Sequence, residues 1–503
     1  MCGIWFIASL RDSAEPPADE STDAVERRGP DGISEKRWVV QLHSGKWLHM
    51  RLVSSVLHMQ GEQMTPQPVA LHVHTAGSEA ATAFLAWNGE LYDVASQSGG
   101  ASDTQHVAAA VSDALASSTP AAALATAMAG WRGPWAAAIV DEASQRLWFA
   151  RDPIGRRSLL LAQESSTLRL ASVAEGALTG FEHFSAHEVQ PGKLFSVDLS
   201  TLACSEVGEF APGAPSRPLQ DAYDCFPAVS WAGGAGGGCP AAQATDAAAR
   251  ALLCALSSAV QKRVCGAARG LGPSPLPKVR PGAEPGAEQT YCGVACDIRK
   301  LPNVESSCAA PAHIAIMFSG GIDCMLIAAL AHRHVPADET IDLINVAFAQ
   351  KQGLGPITHV QSPDRAAAQA GLAELRQACP GRSWRLIQVN EDLGTLQQHQ
   401  GTIVALNYPR DSTMDFSIAA ALWCGARGVG WVLPSAGTEG GVGGGQDAPF
   451  TSASQVHVEQ LCTMFQAAVA AAGDSEPGPA ACGLDEATPS AAAAGPAACG
   501  LDE

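Results

Sequence analysis

Over residues 1 to about 205, short apolar runs alternate with Gly, Asp and Asn, as in FLAWNGELYD, PWAAAIVDEASQRLWFARD, LRLASVAEGAL and KLFSVDLS. Runs of that length closed by turn residues predict strands joined by turns. Ala248 to Val264 reads differently, because Leu252, Leu256, Val260 and Val264 recur at helical spacing and predict the first helix of a second unit. Further on, HIAIMFSGGIDCMLIAALAHRH predicts a buried strand, a tight Gly turn and a helix with Ile322, Leu326, Ile327 and Leu330 on one face. IDLINVAFA predicts the next strand, so strand, helix and strand make a parallel unit with a right-handed crossover. GLAELRQA predicts a helix, WRLIQVN a strand, and MDFSIAAALWCGARGVGW a helix running into an apolar segment. An open α/β sheet fits that order.

Between these stretches the pattern fades. PGAPSRP and GGAGGGCP mark 206–241 as a flexible linker, and a Pro/Gly/Ala-rich stretch at about 267–311 reads as a disordered surface insertion. After about 436 the text turns to GTEGGVGGGQD and then to an Ala/Gly/Pro tail in which GPAACGLDE occurs twice, a low-complexity duplication. The expected division is therefore 1–205, a linker 206–241, 242–450 and a tail 451–503. At 503 residues with 47% hydrophobic and 16% charged positions, the chain can bury two sizeable cores.

Charge narrows the partners. Lys and Arg number 31 against 50 Asp and Glu, a net charge of −19 that repels phosphate backbones and anionic membranes, so no nucleic-acid partner is expected. No apolar run reaches the roughly 20 residues of a membrane span, and MCGIWFIASL lacks the basic flank of a secretory signal. The 15 Cys are scattered and never form C-x-x-C, which points to a reducing, cytoplasmic setting.

Cys2 carries the first candidate chemistry. Removal of Met1 would leave one residue holding both a thiol and a free α-amine, and an amine with pKa near 7.7 to 8.0 can take the thiol proton at neutral pH. E-R-R-G-P-D (Glu26 to Asp31), W-N-G-E-L-Y (Trp87 to Tyr92) and S-D-T-Q (Ser102 to Gln105) add a loop, an amide donor beside a Gly, and a carboxylate opening a helix. Met-Cys-Gly-Ile, R-G-P-D, N-G-E and S-D at these intervals resemble the class II glutamine amidotransferase domain of the glutamine-hydrolysing asparagine synthetases. The resemblance implies an N-terminal-nucleophile αββα sandwich in which Cys2 attacks the glutamine amide and Asn88 and Gly89 form the oxyanion hole. It also implies that Glu90 and Asp103 help hold glutamine, with Asp103 taking the α-ammonium. Two alignments compete for the Arg that would clamp the glutamine carboxylate: HMRL offers Arg51, whereas SSVLHMQGEQMTPQPV puts Leu57 there. Arg151 and Asp152, in R-D-P-I-G-R-R, read as bracing the sheet.

In the second half, S-G-G-I-D (Ser319 to Asp323) lies between a buried strand and a helix start, where backbone N–H groups can cradle a pyrophosphate. It resembles the ATP-pyrophosphatase loop of the same family, with Cys324 in place of a Ser. The resemblance implies ATP contacts from Phe318, Ser319, Gly320, Gly321, Asp323 and Val346, with Asp323 on Mg²⁺. LWFARDPIGRRSLL, EVQPGKLFSVDL and FSGGIDCMLIAALAHRHVPADETIDLINVAF narrow the similarity to the asparagine synthetase domain-containing group. One departure stands out: the acidic S-G-x-G-A-D-E loop that family members carry after the R-G-x-G-W segment is lacking here, and neither Glu439 nor Asp447 alone replaces its acid pair.

The expectation is thus a two-domain, α/β and α+β cytoplasmic amidotransferase. Glutamine hydrolysis at Cys2 would supply ammonia for the ATP- and Mg²⁺-dependent amidation of aspartate, with small molecules as partners and a homo-oligomer allowed. The alternative is a glutaminase alone, or an inactive synthetase-like scaffold, because the acidic loop is missing.

Overall fold

A computed structural model describes residues 2–61, 63–73, 81–92, 102–174, 186–210, 240–265, 312–351, 357–358, 362–410, 412–427 and 430–432. The segments 211–239, 266–311 and 433–503, which include most of the linker, the insertion and the repeat-bearing tail read from the sequence, lie outside the described residues.

The strand-rich first part contains β1 (Gly3–Arg11), α1 (Asp23–Arg28), β2 (Gly32–Gln41), β3 (Trp47–Val56), β4 (Val69–Val73), β5 (Ala81–Gly89), α2 (Asp103–Leu115) and α3 (Pro120–Gly130). It continues with β6 (Trp135–Asp141), β7 (Arg146–Arg151), β8 (Leu160–Gln163), β9 (Thr167–Ala171), β10 (His187–Glu188), β11 (Lys193–Asp198) and β12 (Ala203–Glu209). These strands form two antiparallel six-stranded sheets, in the orders β10-β8-β9-β1-β3-β2 and β12-β11-β7-β6-β5-β4.

The period-2 alternation of a strand decides what each face meets. Ile4, Phe6 and Ala8 of β1 and Leu48, Met50 and Leu52 of β3 pack on Phe84, Ala86, Ala136, Ala138, Val140 and Phe149 of the second sheet. The intervening residues Leu85, Trp87, Ala137 and Ile139 point the other way, under Val107 and Val111 of α2 and Leu124 and Met128 of α3. This explains why WAAAIVD is buried at every position: β6 has a core on both faces. The outer face of the first sheet is covered more thinly, where Val25 of α1 sits with Trp5, Val53 and Val173. Helix, sheet, sheet and helix follow one another through the first part of the chain.

The second part consists of α4 (Pro240–Cys265), β13 (Ile314–Met317), α5 (Ile322–His334), β14 (Ile341–Phe348), β15 (Gln350–Lys351), β16 (Ile357–Thr358), α6 (Pro363–Ala378), β17 (Trp384–Glu391), α7 (Leu393–Asn407), α8 (Thr413–Ala426) and β18 (Trp431–Val432). Its sheet has the order β13-β14-β17-β18; the first three strands are parallel, while β18 joins the edge antiparallel to β17.

Three boundaries or faces differ from the sequence expectation. The first unit extends past residue 205, because β12 continues to Glu209 as a half-exposed edge strand whose polar pattern gives little signal. On α5 the residues sealed in the core are Ala328, Ala329, Leu330 and Ala331, whereas Ile322 and Ile327 are 54% and 41% exposed. The helix is buried mainly in its second half, where α4 packs on it through Val260 and Val264, and small alanines permit that approach. Helix α7 has no clear apolar stripe; its start is set by Asp392, whose carboxylate accepts the Thr395 N–H at 2.7 Å.

Candidate active site

Cys2 immediately precedes β1, and that strand's pairing with β3 (Gly3 opposite Ser55) brings Leu57 alongside it. The Leu57 N–H donates to Cys2 Sγ at 3.4 Å and the thiol faces the Leu57 carbonyl at 3.7 Å. Burial pushes the Cys2 thiol up, with the Leu57 N–H and a nearby Arg157 pulling the other way. The group is therefore a protonated thiol at neutral pH, and acting as a nucleophile requires a base to remove that proton.

Strand β5 delivers the expected donors. The side chain of Asn88 is buried, and its Nδ2 has no hydrogen-bond partner among the described residues. A buried unmet donor costs about 1–3 kcal/mol, so its persistence is the mark of a group held for something else. Gly89 is the last residue of β5, and a Cβ there would fall 2.6 Å from both Trp135 Cβ and Trp87 Cζ2, so only glycine fits between the Trp135 Cβ and the Trp87 indole. The preceding amide is anchored separately, the Trp87 N–H donating to Gln67 Oε1 at 2.7 Å.

Asp103 opens α2, behind a capping box in which Ser102 and Gln105 satisfy each other's backbone amides. Its Oδ2 accepts from Trp87 Nε1 at 3.3 Å and the Leu91 N–H at 3.1 Å, and its Oδ1 from the Thr104 N–H at 2.7 Å. Burial raises the Asp103 carboxyl above the ordinary Asp range, against those hydrogen bonds, and its charge acts on Cys2. Glu90 lies close enough for its carboxylate to act on Asp103 and on Tyr92, while its own N–H donates to the Pro134 carbonyl at 3.0 Å. Cys2 and Asp103 are therefore within electrostatic reach of each other, and Asn88, Gly89 and Glu90 follow one another along the end of β5.

Arg51 does not join them. It lies opposite Ile7, four residues before Ser55, the partner of Gly3, on β3, with Nε on Glu35 at 2.8 Å, Nη1 on the Glu20 carbonyl at 3.1 Å and its guanidinium over the Trp5 ring. Of the two alignments, the one that sets Leu57 beside the nucleophile agrees with this geometry.

The cations near Cys2 are two that sequence reasoning passed over. Arg28, at the end of α1, donates from Nε to the Cys2 carbonyl at 3.2 Å, and burial together with Arg157 brings its pKa down to about 10. Arg157 is held beside the chain end through its neighbour: Ser158 Oγ donates to the Ser172 carbonyl at 2.5 Å, and Ser172 exchanges hydrogen bonds with Ile4. The Arg157 Nε is buried with no hydrogen-bond partner among the described residues. The available signal was the pair of arginines ending R-D-P-I-G-R-R just before a strand. Arg151 and Asp152 of that segment brace it, as expected: Arg151 donates to the carbonyls of Arg157, Val189 and Gly155, and fully buried Asp152 accepts from the N–H groups of Trp135, Ile154 and Arg156 and from Arg156 Nε.

A second constellation sits where β13 meets α5, at the carboxyl end of the parallel strands, where open α/β sheets bind ligands. Phe318 is buried with its N–H on the Ile344 carbonyl at 2.7 Å, whereas Ser319, Gly321 and Asp323 are exposed at the N-terminus of the 13-residue α5. Val346 is half-buried on the adjacent β14. Gly320 has φ of +83° and passes so close to α6 that a Cβ would lie 2.2 Å from the Ala367 carbonyl carbon. An exposed amide turn, a helix N-terminus and a carboxylate suit a magnesium-bound phosphate chain. Gly320→Ala is expected to cost at least ~2 kcal/mol through clash and left-handed strain, read as a lower melting temperature of the second unit and faster hydrogen exchange over 314–334. An unchanged melt would show that the turn relaxes.

The description "glutamine amidotransferase domain" matches residues 57–179. Asparagine synthetase domain-containing protein 1 of Bos taurus is 28% identical over 87% of this chain and 75% of its own length; that of Mus musculus is 26% identical over 86% and 75%. Among solved structures, glutamine phosphoribosylpyrophosphate amidotransferase from B. subtilis aligns with 82% of this chain and 94% of its own at 14% identity and a TM-score of 0.33. No helix among the described residues is long and apolar enough to cross a membrane.

Proposed function

We propose that this chain, which carries a glutamine amidotransferase domain and is homologous to asparagine synthetase domain-containing protein 1 over most of its length, releases ammonia from glutamine at Cys2. The observation that carries the reading is the buried Asn88 Nδ2, without a hydrogen-bond partner among the described residues, at the end of β5, together with a half-buried Cys2 thiol on which the charge of buried Asp103 acts.

The chemistry follows from the residues. After removal of Met1, the α-amine of Cys2 takes the thiol proton as sulfur attacks the glutamine Cδ. Negative charge grows on the amide oxygen, where Asn88 Nδ2 and the Gly89 N–H donate to it; such donors are worth about 2.7–4 kcal/mol each. The C–N bond breaks, ammonia leaves with the transferred proton, and water hydrolyses the thioester to glutamate. Asp103 receives the substrate ammonium. Arg157 takes the carboxylate that an apolar Leu57 cannot, since planar guanidinium recognition has no apolar substitute.

The turn at Ser319–Asp323 would hold the phosphates of ATP, with Asp323 on Mg²⁺ and Val346 beside the base. Bound there, ATP supplies the activation that lets a carboxylate accept ammonia, and the name shared by the relatives points to the aspartate β-carboxylate. Purified protein incubated with glutamine, aspartate and Mg·ATP tests this directly. Release of glutamate, pyrophosphate and asparagine together is expected. No glutamate would overturn the amidotransferase, and glutamate without pyrophosphate would overturn the ligase.

Two results should follow at the glutamine end. Arg157→Gln should raise the KM for glutamine by roughly 10- to 100-fold, since charge-assisted hydrogen bonds contribute about 1.5–3 kcal/mol. Arg51→Gln should leave KM within about twofold, its partners being Glu35 and Glu20; the reverse ranking would return the clamp to Arg51. As for pH, only ionised Asp103 attracts an ammonium. Because burial raises that carboxyl, KM should begin to climb on acidification at a higher pH than an ordinary Asp would give. Asp103→Asn should make KM uniformly high and flat on the acid limb, and an unaltered limb would assign it elsewhere.

A further inference from the structure

The loop that leaves β3 runs from the nucleophile to the start of α2. Its first residue, Leu57, meets Cys2 Sγ through both its N–H and its carbonyl. The next, His58, donates its N–H to Asp31 Oδ2 at 2.8 Å, and its ring Nε2 lies 3.1 Å from the Gly61 carbonyl. Gly61 has φ of +86° and passes so close to the cap of α2 that a Cβ would lie 3.1 Å from both the N and the Cβ of Ser102. Beyond it, the hydroxyls of Thr65 and Ser102 are 2.7 Å apart. Ser102 is the residue before Asp103, so Leu57–Gly61 spans the distance from thiol to carboxylate, with Gln60 at the carboxylate end.

Gln60 carries an acceptor that the fold leaves unused. The residue is half-buried, and its Oε1 is closed off from solvent with no hydrogen-bond partner among the described residues. An acceptor in that state has lost its hydration without replacement, which costs stability. Asn88 Nδ2 and Arg157 Nε share the condition, and on the reading above each meets an acceptor of glutamine, the amide oxygen and the carboxylate. The remaining polar end of glutamine is a donor, an α-ammonium with three N–H groups. Asp103 cannot serve them all. An ionised carboxylate offers about four lone-pair sites, and here the Trp87 Nε1, the Leu91 N–H and the Thr104 N–H occupy three, with the Thr104 hydroxyl 3.4 Å from Oδ1. Glu90, whose charge acts on Asp103, can take one ammonium N–H. A further acceptor is wanted.

We propose that Gln60 Oε1 accepts a hydrogen bond from the α-ammonium of glutamine and so makes the site selective for an amide that carries a free amine. This deepens the reading of Cys2 as a glutaminase nucleophile and rests on it. A neutral acceptor suits the place. A third carboxylate beside Asp103 and Glu90 would repel both of them and the substrate's own carboxylate, whereas an amide oxygen adds direction without charge. Glutaramate, which is glutamine without its α-amine, presents the same amide and the same carboxylate and leaves Gln60 unmet. Sites built to hydrogen-bond one group of a substrate discriminate against the analogue lacking it, because their own polar atoms are then stranded.

Equilibrium dialysis of the full chain carrying Cys2→Ala, against glutamine and against glutaramate in separate arms, tests the contact without turnover. Adding Gln60→Met, which keeps the length of the side chain but no strong acceptor, should weaken glutamine binding about tenfold or more and leave glutaramate binding within about twofold. The glutaramate arm also shows that the variant is folded. Gln60→Glu, which keeps an acceptor at the same reach, should bind glutamine more tightly than Gln60→Met does. In the chain with Cys2 intact, Gln60→Met should raise the KM for glutamine with kcat within about twofold, the signature of lost binding rather than lost chemistry. Equal weakening toward both ligands would show that Gln60 only shapes the loop and would overturn the proposal, as would unchanged glutamine binding in Gln60→Met or no saturable glutamine binding at all. The expected binding pattern in a protein that releases no glutamate would instead overturn the glutaminase reading and keep the ammonium contact.

Discussion

Cys2→Ala is expected to abolish glutamate release, with a fall in turnover of at least about 10⁴-fold, because the proposed thioester forms on this residue. The fold is expected to tolerate the change, since the thiol's hydrogen bonds, to the backbone of Leu57, have the weak distances of 3.4 and 3.7 Å. Circular dichroism and the melting curve should therefore overlay those of the unaltered protein. Cys2→Ser is the sharper probe, since it retains size and a donor but loses the soft nucleophile. Release that persists in both variants would remove Cys2 from the chemistry. The initiator must also be removed, so intact-mass measurement should find Cys2 as the first residue of active protein. Retained Met1 in fully active material would assign the base to another group.

Asp152→Ala should be the most damaging single change outside the nucleophile. The carboxylate is fully buried and accepts four hydrogen bonds, from the N–H groups of Trp135, Ile154 and Arg156 and from Arg156 Nε. Removing it leaves three amides and a guanidinium facing a void. Breaking a buried charged network of this kind costs about 3–5 kcal/mol. At roughly 2–4 °C per kcal/mol for a unit of some 200 residues, the melting temperature should fall by about 6–20 °C. Arg157 follows Arg156 directly, so whatever protein remains folded should also show a higher KM for glutamine. A drop below about 2 °C would mean that the loop repacks around water and that its position is set by Arg151 instead.

Much of this architecture is visible in the residue pattern, and the exceptions share physical causes. The strands of the sandwich can be read because their apolar runs stop at turn residues. SGGID can be read because a strand leads in and a helix leads out. The second half of α5 deceived periodicity, since alanines carry little hydrophobic signal yet Ala328, Ala329 and Ala331 are the buried contacts. Helix α7 gathers its apolar residues on no one side, and edge strand β12 is too exposed to announce itself. At the site, Cys2, Asn88, Gly89 and Asp103 are legible as short motifs, because each role needs one residue type at one backbone position. The cations near Cys2 are not. Arg51 and Leu57 are six residues apart on the same strand and its exit, and only the register of β3 on β1 decides which of them reaches residue 2. Arg157 arrives from a loop a hundred residues later, through a Ser158–Ser172–Ile4 chain of hydrogen bonds that no local pattern encodes.

The indoles around Gly89 bear on how a reaction there would be timed. Trp87 and Trp135 are stacked at 5.8 Å, Trp131 meets both edge-on, and Phe210 stacks on the far side of Trp135. Rings wedged in this way cannot shift singly, and the peptide they enclose inherits their immobility. Orientation of the amide dipoles that would face a bound glutamine is thus completed when the polypeptide first condenses, long before any encounter with substrate, and a catalytic cycle there would have no ordering step left to perform at that corner of the molecule.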